Sequence, residues 1–165
     1  MFKIGDYLVH RDHGICQIRS IQHIDYVDKD YFVMYGYDND MTKIMVPCDR
    51  IDEFCRGLVS KNECLKLIDQ FNDLDGEFIA DNKKRKEECT KLLQSGKLID
   101  LAHIMKMLFG FFEEKKANNK MIGTIDLSLF NEAKNKLYSE IQYVLNLKSF
   151  DEVDSFIKNR IEINS

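Results

Sequence analysis

The densest concentration of one chemistry in the chain is the run Lys83-Lys84-Arg85-Lys86, followed by Lys91 and Lys97. Residues 83–97 hold six basic and two acidic side chains (Glu87 and Glu88), a local charge of +4 in a chain of net charge −4. Four consecutive cations at a helix start point in several directions, an arrangement that meets backbone phosphates without reading bases. The same run also suits an ordinary solvated helix face. Other reactive residue types lack the spacing that chemistry needs. Cys16, Cys48, Cys55, Cys64 and Cys89 are odd in number and contain no C-x-x-C pair, which argues against a disulfide scaffold or a zinc ribbon and for reduced, buried thiols. His10 and His13 lie three apart in a stretch that reads as strand and turn, so no metal site is expected. No phosphate-binding glycine loop, H-E-x-x-H or nucleophile elbow occurs, and nothing argues for an enzyme. No cofactor is expected.

The elements that must position these residues change character along the chain. Residues 7–10 predict a short strand ended by the turn Arg11-Asp12-His13-Gly14. Residues 15–25 alternate without a cleanly apolar face, the pattern of a long strand that bends or serves two surfaces. Residues 31–35, Tyr-Phe-Val-Met-Tyr, are rich in β-formers, with Tyr31 and Tyr35 on one face and Phe32 on the other. A hairpin loop at Tyr37-Asp38-Asn39-Asp40 leads to a strand over 41–46, stopped by Pro47, the only proline. Short strands with tight turns predict a small antiparallel β-barrel over 1–56. An exposed Ile24 and Tyr26 would offer an edge for another protein's strand.

Helical periodicity takes over near residue 58. Ser60 and Glu63 stand at capping-box distance ahead of Leu65, Ile68 and Phe71, giving a connecting helix and linker over 57–76. A second helix is expected from near Glu77 to Leu93, with Ser95-Gly96 as its C-cap. Leu98, Leu101, Ala102, Met105, Leu108, Phe109 and Phe112 make the stripe of a third, and Phe109, Phe111 and Phe112 read as core. Asn118-Asn119-Lys120 breaks it. A fourth helix starts at Asp126 or Ser128, and a fifth is capped by Ser149 with Glu152. Residues 77–165 thus predict an all-α bundle behind the β part, an α+β chain in two parts.

Composition sets the outer bounds. The chain has 165 residues, is 44% hydrophobic and 32% charged, and contains one proline, values of a folded domain or two small ones. With a net charge of −4, nucleic-acid binding needs a local patch. No apolar run reaches membrane-span length, and MFKIGDYLVH lacks the apolar core of a secretory leader, so a cytoplasmic protein without membrane contact is expected.

Several of these segments resemble a known family. Phe2-Lys3-Ile4-Gly5-Asp6, Val9-His10 and His13-Gly14 resemble the opening F-K-x-G-D-x-V-V-Y-P-x-H-G of the CarD/CdnL family of bacterial transcription regulators, with His10 and Arg11 at the Tyr and Pro positions. Met41-Thr42-Lys43-Ile44-Met45-Val46-Pro47 is similar to the family strand that ends in Val/Ile-Pro. Arg85-Lys86 through Ser95-Gly96 is similar to its basic helix. Ala133-Lys134, Leu137 and Glu140-Ile141 are similar to its A-K/R-x-x-L-x-x-E-L helix. The order and spacing hold over about residues 1–145.

The resemblance implies a Tudor/SH3-like N-terminal domain that binds the RNA polymerase β subunit by strand extension. It implies a helical domain that contacts promoter DNA, minor groove and phosphates, at the upstream edge of the melting bubble and modulates open-complex stability. The polymerase-facing residues then fall on Ile21, His23, Ile24 and Tyr26, beside the strand holding Lys43 and Met45; family arginines match Ile24 and Met45. The DNA-facing residues fall on Lys83, Lys84, Arg85, Lys86 and Lys91. The family's tryptophan wedge is missing, since the chain has no Trp. Its position falls on Asn82, with Phe78 the nearest aromatic. Two other readings stay open: a polymerase- or protein-binding module without DNA function, and a small-ligand protein or enzyme with a pocket around His10, His13 and Cys16.

Overall fold

A computed structural model describes residues 1–37 and 40–163. Asp38 and Asn39, in the middle of the expected second hairpin loop, lie outside the described residues. The chain divides into two compact units, Met1–Leu58 and Val59–Ser165.

The first unit is a five-stranded antiparallel sheet: β1 Tyr7–His10, β2 Gly14–Ile24, β3 Lys29–Gly36, β4 Lys43–Pro47 and β5 Cys55–Gly57, in the order β4-β3-β2-β1-β5. Gly14 (φ 70°) turns the chain from β1 into β2 in a conformation that a side chain would strain. Along β2 the register against β3 slips between Ile18 and Ser20, a bulge at Arg19. This slip accounts for the mixed patterning of residues 15–25: it turns Ile18 inward and changes the parity beyond it. Leu8, Cys16, Ile18, Phe32, Met34, Ile44 and Val46 fill one face, closed by Ile51 of the single-turn helix α1 (Ile51–Phe54) and by Cys55. Each fully buried aliphatic or aromatic side chain here contributes about 1.5–3 kcal/mol.

The sheet does not close into the expected barrel. β4 and β5 are its two edges, and the three residues of β5 are all engaged with β1. The sheet curls far enough that β4 faces His10, His13 and Phe54 across a groove of about 400 Å³.

The second unit is helical. It comprises α2 Lys61–Asp69, a 3-10 turn Phe71–Asp73, α3 Asn82–Ser95, α4 Leu98–Ala117, α5 Thr124–Leu145 and α6 Phe150–Ile163. The Ser60–Glu63 capping box forms in both directions. Cys64, Leu67 and Ile68 of α2 are buried in the same core as Cys89, Leu101, Leu108, Leu137, Ile141 and Val153, so the helix expected as a connector belongs to this unit. Gly96 ends α3 in the left-handed region (φ 66°), as its sequence position predicts.

Two expectations are corrected. α3 begins at Asn82, five residues after Glu77, because Asp81 caps it by accepting from the Lys84 N–H. Phe109 is not core: it is 56% exposed, while Phe112 is buried and Phe111 half-buried. The buried stripe runs through Leu101, Met105, Leu108 and Phe112, and Phe109 falls one helical step off it. Among the described residues no helix is long and apolar enough to cross a membrane.

Candidate functional site

Two surfaces carry the residues singled out in the sequence, one in each unit. In the first, β1 is shorter than β2 and covers only Gly14, Ile15, Cys16 and Gln17 of that strand. The loop before β1 adds two backbone bonds at Ile18, from the Gly5 N–H and to the Asp6 carbonyl. Beyond that point, among the described residues, β2 is paired only on its β3 side: Ile21 with Phe32, Gln22 with Tyr31, His23 with Asp30 and Ile24 with Lys29. Residues 20–24 therefore offer an unpaired backbone edge. The pleat divides their side chains. Ile21 (49% exposed) and His23 lie on the face of Phe32, whereas Ile24 lies on the opposite face with Gln22 and Tyr31.

Beside Ile21 is a groove of about 1010 Å³, walled by Phe2, Ile4, Phe32, Cys48 and Ile51, with Lys3, Asp30 and Asp52 among its polar lining. The hairpin tip is polar. His23 Nδ1 is 2.9 Å from Asp30 Oδ1, and its Nε2 is 3.6 Å from Asp25 and 3.7 Å from Asp28. Tyr26, expected on the strand, instead projects from the 25–28 turn and is almost fully exposed.

Lys43 and Met45 do not sit beside Ile21 and Ile24. β3 runs between the two strands, and Met45 pairs with Val33 while Lys43 pairs with Tyr35. Lys43 still reaches across the sheet, where its Nζ donates to Gln22 Oε1 at 3.1 Å. Met45 and Ile24 share the outer face, on strands separated by β3. Among the described residues, β4 presents the second unpaired edge, along the groove that His10 and His13 also line. His10 itself is buried, accepts from the Asp12 N–H through Nδ1 and stacks on Phe54. Cys16 is fully buried and does not line that groove.

In the second unit, α3's first turn separates the basic run. Lys83, Lys84, Lys86 and Lys91 are exposed, and Lys83 lies 4.0 Å from Glu87. Arg85 is not among them: it is 3% exposed and donates all five of its N–H groups. Nε and Nη2 form a bidentate pair with Asp126 at 2.8 Å each, Nη1 donates to the carbonyls of Ile79 and Ala80, and Nη2 also donates to Asn82 Oδ1. Its guanidinium lies 4.8 Å from the ring centre of Phe78, which stacks on Phe111 at 4.0 Å. Phe78 and Asn82 are thus both committed to Arg85. The sequence contained a signal for this. Arg85 stands four and eight residues ahead of buried Cys89 and Leu93, on the inward phase of the helix.

Burial also disposes of the thiols. It pushes Cys16, Cys64 and Cys89 up to about 11 and Cys55 up to about 12, well away from reactive thiolate. Among the described residues no group of three or more His, Cys, Asp or Glu side chains could hold a metal ion.

Residues 2–61 match the family model of the CarD-like/TRCF RID domain. The match spans nearly the whole first unit and ends at the start of α2. No curated protein matches the chain. A CarD-like domain is an RNA polymerase-interacting module of transcription factors, so the unpaired sheet edges belong to a protein-binding domain. The N-terminal unit carries, over residues 2–61, a CarD-like/TRCF RID domain.

Proposed function

We propose that this chain regulates bacterial transcription by binding the RNA polymerase β subunit through strand extension and by contacting promoter DNA through the lysines of α3. The observation that supports the first part is the edge of β2 at residues 20–24, unpaired and flanked by the groove at Ile21. An added strand takes register from backbone hydrogen bonds, and its alternate side chains enter the groove on the Ile21 face or meet Ile24 on the other. Where relatives place an arginine, Ile24 makes this contact more apolar. No covalent chemistry is required. The protein acts by differential affinity for one state of the promoter complex.

The test is capture of RNA polymerase core by the full chain, compared with Ile21→Glu and Ile24→Glu. Each substitution sets a charge against an apolar contact, and an at least tenfold weakening is expected with the fold retained. Undiminished capture by both variants would remove the β2 edge from the interface and leave that of β4.

A second reading, a polymerase-binding module without DNA function, is favoured by one observation: Arg85 is buried, its guanidinium turned onto Asn82 Oδ1 and the Phe78 ring. The exposed lysines favour DNA contact, and a salt titration of DNA binding separates the two readings.

A further inference from the structure

The sequence treats residues 118–120 only as a helix break, yet the fold sets them beside the basic run. Phe111 on α4 stacks on Phe78 just ahead of α3, and Asp126 in the first turn of α5 holds Arg85 in the first turn of α3. The beginning of α3, the end of α4 and the beginning of α5 therefore share one end of the helical unit. Lys115 joins it directly, its ammonium 5.0 Å from the centre of the Phe111 ring. The α4–α5 turn is rigidly shaped: Asn119 sits in the left-handed region (φ 51°), and the Lys120 N–H donates to the Lys115 carbonyl at 2.8 Å. This turn presents Lys120 and then Met121, 91% exposed, outward, with Ile125, 55% exposed, next to Asp126.

From this juxtaposition we infer that the α4–α5 turn is a second nucleic-acid contact of the helical unit, with Lys115 and Lys120 meeting phosphates and Met121 meeting the face of an unstacked base. The occupant follows from charge and polarity together. Lys83, Lys84, Lys86, Lys115 and Lys120 rim this end, where Asp126 is neutralised internally by Arg85, Glu113 pairs with Lys116 at 3.0 Å and Glu87 lies 4.0 Å from Lys83. A strongly anionic polymer suits such a rim. An exposed, flexible apolar side chain amid lysines suits a base step that is already open, where insertion costs least unstacking. The inference rests on the DNA-contact reading proposed above.

Anisotropy titrations over a salt series test it, using the full chain with a labelled duplex and with the same duplex carrying an unpaired bubble. Lys115→Ala with Lys120→Ala should flatten the salt slope by up to about two, roughly 0.9 for each phosphate that is no longer neutralised. Met121→Ser should weaken bubble binding several-fold and leave duplex binding within about twofold. Lys83→Ala with Lys84→Ala is the reference arm. If only the reference arm flattens the slope, the α4–α5 turn does not touch the nucleic acid and the α3 reading stands. If neither pair flattens it, DNA contact by the helical unit fails with it. Equal loss by Met121→Ser on both substrates would overturn the base contact.

Discussion

Removing the Arg85 guanidinium should unfold the helical unit far more readily than removing any neighbouring lysine. Its five N–H groups all have acceptors within 3.3 Å, and its partner Asp126 is 8% exposed. Arg85→Ala leaves Asp126 as a buried carboxylate without its cation and frees the Ile79 and Ala80 carbonyls. Breaking one side of a buried pair costs about 3–5 kcal/mol. With a urea slope of about 2 kcal/mol/M, the midpoint should fall by roughly 2 M, read by circular dichroism at 222 nm. Asp126→Ala should cost a similar amount, because it strands the guanidinium instead. Arg85→Met with Asp126→Leu should recover much of the loss, since an apolar pair of similar volume carries no desolvation penalty. Lys84→Ala, by contrast, should stay within about 0.5 kcal/mol. A midpoint shift below about 0.5 M for Arg85→Ala, or a double variant no better than the sum of the singles, would refute the claim that the pair is an interior clamp.

Two other outcomes can be checked quickly. Native protein at pH 8 should react with an aromatic disulfide reagent at no more than one thiol, that of half-buried Cys48, and at all five once denatured. Glu63, held below the usual carboxylate range by the Ser60 hydroxyl and backbone N–H, supports α2 only while ionised. Because its folded value is depressed, this support is complete above the unfolded value of about 4.3 and fades as pH falls through the folded one. The stability gap between wild type and Glu63→Gln, measured by urea unfolding, should be constant above about pH 5 and shrink below pH 4.

The sequence was most legible where local chemistry decides structure. Ser60 and Glu63 announce their helix because a capping box needs no distant partner, and Gly96 ends α3 for the same reason. β1 falls where its apolar residues place it, and the ambiguous parity of residues 15–25 proves to be the Arg19 bulge. What was hidden depends on partners far along the chain. β5 is three residues long and exists only because β1 pairs with it. Lys84 and Arg85 differ within the basic run only in helical phase, and the partner that holds Arg85 in the interior, Asp126, lies 41 residues on. Tyr26 is displaced from its strand by the 25–28 turn, which no apolar pattern marks. The edge at residues 20–24 is unpaired because β1 is short, a property of β1 and not of β2.

The order of the sheet also has a kinetic meaning. Strands β1 to β4 pair with their neighbours in sequence, so three of the four ladders close short loops. The fourth joins β1 to β5 and must bring residues 8 and 57 together, with three residues of pairing to hold them. Loop-closure entropy places that step late in assembly, and its short ladder makes it the first to open. The meander can therefore form alone, with β5 acting as a latch whose release leaves the outer edge of β1 unpaired while β2, β3 and β4 remain joined.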